Sequence, residues 1–515
     1  MTAKKNRSRT EYAAKNFMYS TIGSISNSIL GFLSRTVFIY TLGTSYLGLS
    51  GLFTNVLGML SLAELGVGTA ISFSLYKPLA ENNSKKVWAY IDFYKKAYRL
   101  VAFVVASIGL ALIPFLKYII KGAEGIDNIT LMYCIFLFNT VSSYLISYRT
   151  TVLSADQRNY LQTNINTVFN VIMNVFQMIV LVITRNYICY LLTQAVIQFS
   201  SKIYLNYYAK KMYPYLKEKH GEELSKEEKS TIYKKIKALI MHKVGEVSIN
   251  QTDNIIISSF ISIKTVGLVS NFTLIINLIN TFVNSFFNSA IAGFGNIIST
   301  ETEERRLKAF KKYDFLGFWF YGWTSICLFF LLKPFVTIWI GEDKLIDSVT
   351  LALLCTNYYF TGQRIPIGNV KVAAGVYEQD VWIPFVQSFI NIIVSIYGAM
   401  HWGLKGVYIG TLLSSLVPNL VRPFVVYKAV FKVSSWDYYK IYIQRIAFML
   451  FTILSISAIN YFFYSSNIYL NSLILFALCI IIPNIYMVIF YRKTEGFIYV
   501  KSIVIGLVKK VLKKF

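Results

Sequence analysis

The stretch YLGLSGLFT at residues 46–54 returns in the second half of the chain as TVGLVSNFT at residues 265–273. Four landmarks share this spacing of 219 or 220 residues: Gly48-Leu49 with Gly267-Leu268, Phe53-Thr54 with Phe272-Thr273, Pro114-Phe115 with Pro334-Phe335, and Ala155 with Ala374. One dipeptide match would carry no weight, but four matches in register indicate an internal repeat. The two halves are therefore expected to form lobes with the same order of elements.

The composition places this repeat in a membrane. Hydrophobic residues make up 55% of the 515 residues and charged residues only 15%. Apolar runs of about 20 residues, long enough to cross hydrocarbon, recur along nearly the whole chain without strand-like alternation, so they predict helices. We predict about fourteen spans, at residues 16–41, 46–76, 97–119, 130–152, 161–184, 187–208, 243–263, 266–298, 315–340, 348–373, 381–401, 405–430, 440–463 and 468–491.

The repeat and the spans together define the predicted fold class, an all-α polytopic membrane protein. Each half holds six predicted spans, and an even number returns the chain to its starting side. Two pseudo-symmetric six-helix lobes would then be related by an axis along the membrane normal, with a transport pathway between them. The predicted parts are the N-lobe 1–208, a cytoplasmic linker with an amphipathic helix at 209–242, the C-lobe 243–431, two C-terminal helices (spans 13 and 14) at 432–491, and a basic amphipathic cytoplasmic tail at 492–515.

Both soluble segments carry helix signals. Ser225 and Glu228 have the spacing of a capping box and predict a basic helix that ends near Met241. In the tail, apolar residues fall on one helical face and lysines elsewhere, which favours a helix lying on anionic lipid over a solvated basic tail. Those residues are Ile503, Leu507 and Val511 on the apolar face, with Lys509, Lys510, Lys513 and Lys514 outside it.

The formal net charge of +26 follows the predicted topology. Basic residues crowd the segments that fall on the same side as both termini, and the opposite loops hold few. This is the positive-inside pattern, so both termini are expected in the cytoplasm, and nucleic acid is not expected as a partner. The five cysteines all lie in apolar segments and the three histidines lie far apart, so no metal site or disulfide is predicted.

Polar residues within the spans indicate a pathway. On span 7 they form one helical face: Lys243, Glu246, Asn250, Asp253 and Asn254. The repeat offset gives span 1 a matching stripe: Ser24, Asn27, Gly31, Ser34 and Arg35. A charge at mid-membrane costs about 2.5–3.5 kcal/mol even on mild scales, so such faces must meet water, a partner or a substrate. We therefore predict that spans 1 and 7 face each other across one central cavity.

Further polar residues extend this prediction. Amides that would line a hydrated cavity and hold a hydroxyl-rich ligand are Asn277, Asn280, Asn284, Asn288, Asn170, Asn174 and Asn357. The alternative for each single amide is a hydrogen bond that joins two helices. Arg35 and Arg364 are expected in the cavity, whereas Arg149, Lys243 and Lys371 lie near cytoplasmic ends and could also snorkel to the interface. Glu64, Asp253 and Glu246 are the candidates to carry a coupling proton or Na⁺, although Glu246 could pair with Lys243 instead.

Three stretches resemble bacterial polysaccharide flippases of the Wzx type, in the multidrug/oligosaccharidyl-lipid/polysaccharide exporter superfamily. They are residues 34–87, LSADQRNY at 153–160 and AGFGNIISTETEERRLKAF at 292–310. The resemblance implies alternating access and a cargo of undecaprenyl-pyrophosphate-linked oligosaccharide, turned from the inner to the outer leaflet of the bacterial plasma membrane for capsule or other surface polysaccharide. Arg35 matches the family's span-1 arginine. Arg364, Arg149, Lys371 and Lys243 are nominated for the pyrophosphate from their local sequence alone.

Other functions remain open. Lipid II flippases share the topology but carry further arginine in span 2, where this chain has Glu64. A multidrug exporter would need an apolar or acidic cavity, whereas these residues are net cationic. A membrane glycosyltransferase or polymerase would need a large outer loop, and the longest expected here is 120–129. The chain is thus expected to be no enzyme and to need no cofactor beyond Na⁺ or H⁺. Its expected partners are the lipid-linked oligosaccharide, membrane lipids and other glycan-assembly proteins.

Overall fold

The computed structural model describes residues 9–64, 67–216, 223–376 and 378–512 of the chain. Helix makes up 89% of the structure, and the described residues contain no strand. The chain divides into two compact units, Met1–Gly267 and Leu268–Phe515. The all-α class predicted from the sequence is confirmed, while the lobe boundaries drawn from the repeat stay predictions.

The described part of the first unit contains ten α-helices and the start of an eleventh. The ten are α1 (Arg9–Leu42), α2 (Thr44–Leu60), α3 (Val67–Ala80), α4 (Ser84–Ala111), α5 (Leu116–Ile119), α6 (Ile129–Ile146), α7 (Thr151–Ala155), α8 (Asn159–Thr184), α9 (Tyr187–Met212) and α10 (Lys226–Phe260). Side-chain caps fix several starts: the Asn83 Oδ1 accepts from the Lys86 amide at 3.0 Å, and Ser225 and Glu228 form the predicted capping box. Helix α10 does not end near Met241, because no proline interrupts it before Phe260, so the linker helix and the predicted seventh span are one helix.

The second unit continues the series. Its helices are α11 (Ile263–Asn288, which begins in the first unit), α12 (Ile291–Thr300), α13 (Glu303–Ile340), α14 (Ser348–Gln363), α15 (Ile365–Ala374), α16 (Ile383–Trp402), α17 (Leu404–Val426), α18 (Trp436–Phe462), α19 (Ile468–Tyr491) and α20 (Glu495–Leu512). Small residues let α16 and α17 approach closely, since a Cβ on Gly406 would lie 2.0 Å from the carbonyl oxygen of Gly398. The added helices α18 and α19 pack on α13, where Trp319 Nε1 donates to Asn484 Oδ1 at 3.0 Å.

Nine segments of the described chain are long and apolar enough to cross a membrane: Ser84–Ile119, Ile129–Ala155, Asn159–Thr184, Ile263–Thr300, Glu303–Ile340, Glu378–Trp402, Leu404–Phe431, Trp436–Phe462 and Ile468–Tyr491. The predicted count of fourteen is therefore not confirmed. The five remaining predicted spans all contain charged residues, such as Arg35, Glu64, Lys202, Asp253 and Arg364, which lower their mean hydropathy. Two of those five are also broken, span 2 after Leu60 and span 10 at Arg364.

The repeat is visible in one contact inside the first unit. A Cβ on Gly48 would lie 2.0 Å from the carbonyl oxygen of Ile263, and a Cβ on Gly267 would lie 1.9 Å from that of Thr44. Under the repeat offset, position 44 is equivalent to 263 and position 48 is equivalent to 267, so each contact is the repeat mate of the other. The contact is thus reciprocal, as a two-fold relation requires. The glycines of the opening motif are needed because α2 and the start of α11 touch through their backbones.

A buried ion pair joins α18 to α13. Arg445 Nη1 lies 2.6 Å from Asp314 Oδ2, and the two side chains are 5% and 6% exposed. The Arg445 guanidinium also lies 4.9 Å from the ring centroid of Phe318. Because an unpaired charge is costly in this environment, the pair fixes where the added helices dock on the second unit.

Candidate functional site

The clearest cluster of charges in the second unit forms at the break in span 10. Pro366 stands at the second position of α15 and has no backbone N–H to donate to the carbonyl of Gly362 one turn earlier, which explains the break next to Arg364. The Arg364 guanidinium is held 3.5 Å from the carbonyl oxygen of Ser415 on α17. In membrane transporters, broken helices bring backbone and charged side chains to a ligand.

Lys371 and Arg422 complete this cationic cluster, which we define as Arg364, Lys371 and Arg422 with Asp380. The Lys371 ammonium pairs with the Asp380 carboxylate, and Arg422 Nε on α17 lies 3.5 Å from the same carboxylate. Lys371 is 8% exposed and Asp380 only 1%. Arg364 and Arg422 lie within electrostatic range of each other. Two of the three cations thus pair with one carboxylate while Arg364 lies near Arg422, and the cluster has an excess of positive charge.

Sequence reasoning named two members of the cluster and missed two. Arg364 and Lys371 were predicted, and the structure places them in one cluster. Arg422 carried a visible signal, because it is a cation inside predicted span 12. Asp380 carried none, since it stands in a loop and only the folded chain brings it to Lys371.

Arg35 and Arg149 belong to the first unit. Arg35 lies half-buried on α1, within electrostatic range of the Tyr190 hydroxyl on α9. Arg149 donates from Nη1 to Asn206 Oδ1 at 3.0 Å and lies 4.8 Å from the ring centroid of Tyr148. Arg149 is therefore already bound to neighbouring side chains of its own unit.

The polar stripe predicted on span 7 is only partly described. The side chains of Lys243, Glu246 and Asn250 lie outside the part that the structure describes, although their backbone is in α10. Asp253 and Asn254 are half-buried on the same helix, and Asn254 faces α2, where its Nδ2 lies 3.6 Å from a Cβ placed on Gly51.

The predicted amides have several different environments. Asn284 donates to Asn280 Oδ1 at 3.0 Å and accepts from the Tyr321 hydroxyl at 2.9 Å, which links α11 to α13. Asn357 is buried and donates to the Tyr408 carbonyl at 3.3 Å, joining α14 to α17. The others are Asn174, which donates to the Asn170 carbonyl at 2.8 Å, half-buried Asn27, and exposed Asn277 and Asn288. Asn284 and Asn357 thus make helix-to-helix bonds.

Glu64 lies in the break of span 2, beside a polar cavity of the first unit. Its Oε1 accepts a 2.5 Å hydrogen bond from the Tyr98 hydroxyl, and the rings of Tyr98 and Tyr94 are 4.1 Å apart. The cavity measures about 320 Å³ and is lined by Glu64, Gly68, Thr69, Ser72, Phe73, Tyr76, Thr150, Thr151, Ser154 and Gln162. A carboxylate among hydroxyl and amide oxygens offers the ligands that a proton or a hard cation requires. Within the described ranges, no three His, Cys, Asp or Glu side chains gather as a metal site.

Comparison with solved structures identifies the fold. The lipid II flippase MurJ in an inward closed conformation matches with a TM-score of 0.66 and 14% identity, covering 92% of this chain and 99% of that chain. An inward-facing multidrug-resistance MATE transporter of the MOP superfamily matches at 0.60 and 14%, covering 79% and 96%. A mutant of the Vibrio cholerae MATE transporter VcmN matches at 0.55 and 14%, covering 83% and 99%. No protein-family model and no curated protein sequence matches the chain.

These likenesses settle the architecture. The chain has the all-helical fold that MurJ and the MATE transporters share, and it is a multi-pass membrane protein. Its structural neighbours are transporters and flippases and not enzymes. At 14% identity the likeness concerns the fold, so the cargo has to be argued from the residues of this chain.

Proposed function

We propose that this protein is a flippase for lipid-linked oligosaccharides. Its cargo would be an undecaprenyl-pyrophosphate-linked repeat unit, moved from the inner to the outer leaflet of the bacterial plasma membrane for capsule or other surface polysaccharide. The observation that carries the proposal is the cationic cluster, in which Lys371 and Arg422 pair with a single carboxylate and Arg364 adds a third positive charge beside Arg422. The resemblance of residues 34–87 to Wzx-type flippases supports the same cargo.

The cluster suits a pyrophosphate for electrostatic reasons. A polyanion entering a poorly hydrated site needs cations already in place, and arginine can hold two phosphate oxygens at once. Asp380 would act as the resting counter-ion, since it neutralises part of the charge when no cargo is bound. A pyrophosphate would then compete with Asp380 for Lys371 and Arg422 and would be released when the carboxylate regains them. Arg35, in the first unit, stays a candidate for pyrophosphate binding from the sequence.

Glu64 is the candidate for energy coupling. In this proposal its carboxylate binds a proton or Na⁺ in the polar cavity, and Tyr98 orients it by the 2.5 Å hydrogen bond. Asp253 and Glu246 stay candidates for the same role from the sequence. A Glu64→Gln variant would keep the hydrogen bond to Tyr98 but lose the charge, and its transport should no longer respond to an imposed ion gradient.

Two other cargoes fit the fold equally well: lipid II, as in MurJ, and organic cations, as multidrug export requires. The net positive charge of the cationic cluster favours an anionic cargo over an organic cation. Lipid II also carries a pyrophosphate, so the cluster does not separate it from other lipid-linked glycans. The decision between them therefore needs a direct comparison of cargoes.

The test uses purified protein in liposomes loaded with fluorescent lipid-linked glycans. Arg364→Ala removes charge-assisted hydrogen bonds worth about 1.5–3 kcal/mol, so flipping should fall roughly 10- to 150-fold at limiting cargo. Arg35→Ala should fall likewise, and Arg→Lys at either position should recover only part, because lysine lacks the two-pronged geometry. Arg185→Ala, at an exposed turn, is the matched control. Full activity of both alanine variants would exclude a pyrophosphate clamp at these arginines.

Alternating access is tested with a reversible crosslink. In a variant without the five native cysteines, Thr41→Cys and Ser262→Cys place thiols at the predicted outer ends of spans 1 and 7. Flipping should stop when the disulfide forms and return on reduction. Undiminished flipping with the crosslink fully formed would exclude a mechanism that separates these ends.

A further inference from the structure

Each unit contains a cavity beside the helix that carries the third predicted span of its half, which is α4 in the first unit and α13 in the second. In the first unit the cavity of about 690 Å³ lies against α4 and is bounded by residues 223–236 of the linker. In the second unit a cavity of about 540 Å³ lies against α13 and is bounded by α20 of the tail. The repeat offset relates the two linings, with Val67 matching Phe286 and Ala97 matching Leu316. The tail helix therefore has the same position beside the cavity of the second unit as the linker has beside the cavity of the first.

The chemistry of the two cavities differs despite this equivalence. The first has Asp92 paired with Lys96 at 2.8 Å, and Phe93 in edge contact with Tyr233, so its charges are balanced and aromatic groups form part of its wall. In the second, the position of Phe93 is taken by Lys312. The position of Ala89 is likewise taken by Lys308, whereas Arg305 matches Lys86, so the second cavity has cations at two places where the first is apolar.

Three cations form one edge of the second cavity. Arg305, Lys308 and Lys312 follow each other at helical spacing along α13, so they share a face. Arg305 lies 3.0 Å from Glu301 and Lys308 lies 2.8 Å from Glu304, both as exposed pairs one turn apart. Such pairs are worth little in water, so an anion can exchange with the carboxylates. The Lys312 ammonium lies 6.0 Å from the ring centroid of Tyr499 on α20.

The rest of the lining is mainly apolar. Phe286, Phe294, Ile297 and Leu316 complete the cavity together with Tyr313, whose hydroxyl is bound to the Phe287 carbonyl at 2.7 Å. In the predicted topology the three cations precede the apolar part of α13, at the cytoplasmic surface of the membrane, and Leu316 lies within it. Charge at the surface and apolar side chains deeper in the membrane match the two ends of one amphiphile.

We propose that this cavity binds an anionic phospholipid of the cytoplasmic leaflet, with its phosphate on Arg305, Lys308 and Lys312 and the start of its acyl chains against Phe286 and Leu316. The site is separate from the cationic cluster and does not depend on the proposed cargo. The tail helix α20 forms one wall, so the bound lipid would also hold the tail to its unit. At its start, α20 already touches α13 closely, because a Cβ on Gly496 would lie 2.6 Å from the Phe315 side chain.

The experiment titrates the delipidated full-length protein with phosphatidylglycerol and follows bound lipid by native mass spectrometry. The test variant is R305Q/K308Q/K312Q. The charge-matched control is K77Q/K85Q/K311Q, which removes three exposed lysines outside the cavity. Each cation near an anionic lipid surface is worth about five-fold in affinity, so the test variant should bind on the order of 100-fold more weakly. The control should stay within about two-fold, because screened surface charges act weakly.

Two further readouts locate the ligand. A photoreactive phosphatidylglycerol should label residues 286–297 or 309–316 in the wild type and in the control but not in the test variant. Phosphatidylcholine and glycerol phosphate should not displace the bound lipid. The proposal is overturned if both triple variants lose affinity equally, which would mean general surface attraction, or if glycerol phosphate competes as well as the lipid, which would mean a site for free phosphate.

Discussion

The reciprocal glycine contact makes a prediction that requires no knowledge of the cargo. A methyl group added by Gly48→Ala would lie 2.0 Å from the Ile263 carbonyl oxygen, and ordinary contact begins at 3.4 Å, so the backbones must separate by about 1.4 Å. Overpacking of this kind costs about 1–3 kcal/mol, while the gain in helix propensity on replacing glycine returns about 1 kcal/mol. Because the obstacle is backbone and cannot rotate away, the cost should lie near the upper end of that range, and we expect a net loss of about 2 kcal/mol.

The double variant sharpens this prediction. Gly267→Ala meets the same pair of backbones from the other side, so the separation forced by one methyl group already makes room for the second. The two losses should therefore not add, and the double variant should be scarcely less stable than either single variant. Gly295→Ala on α12 is the control, since nothing lies within 4 Å of its Cβ position, and it should be neutral or stabilising.

Thermal unfolding of the purified protein in detergent measures all four variants. Additive losses for the two glycines would show that the contact is not shared. Wild-type stability of Gly48→Ala would show that α2 and α11 do not touch through their backbones, and the structural evidence for the repeat would be lost.

Three further predictions concern one titrating carboxylate, one buried ion pair and the orientation in the membrane. Glu228 is partly buried, which by itself raises its pKa, but hydrogen bonds from Lys86 and the backbone N–H of Ser225 outweigh that effect and lower the pKa below 4.5. The ionised Glu228 therefore stabilises the fold above pH 4.5, and this contribution is lost below it. The difference in unfolding temperature between wild type and Glu228→Gln should vanish in acid. Asp314→Asn leaves the Arg445 guanidinium buried without its counter-ion and should cost about 3–5 kcal/mol of unfolding free energy, whereas an apolar replacement of both partners should cost much less; equal losses would argue against a coupled pair. A reporter fused at Glu124 should signal from outside the cell, and a cytoplasmic signal there would reverse the predicted orientation.

The sequence predicted well what depends on local pattern. Long apolar runs predicted the nine membrane-spanning segments found in the described chain, the spacing of Ser225 and Glu228 predicted the capping box, and the motif at Gly48 indicated the repeat. Two errors had signals that were available: Pro366 marked the break in span 10, and the absence of a proline allowed α10 to continue through the predicted boundary.

Other features depend on contacts between distant segments. Asp380 meets Lys371 and Arg422 only because a loop folds back on two helices, and no periodicity reports such a meeting. The cavity beside α13 needs residues from four helices, α11, α12, α13 and α20. Offsets within the repeat do show which positions correspond, so the change from Phe93 to Lys312 was readable once the cavity was known.

The ion pair between Asp314 and Arg445 also affects when the second unit can finish folding during synthesis. Its partners are 131 residues apart, and chains are synthesised at about 5–20 residues per second, so Asp314 is added to the chain about 7 to 26 seconds before the arginine. During that interval α13 cannot settle into its final surroundings, because a buried carboxylate without its cation costs several kcal/mol. The second unit therefore completes its assembly only after α18 has been made. Ribosomes stalled before residue 436 should hold a unit that a protease still opens, and those stalled beyond residue 491 should hold one that resists.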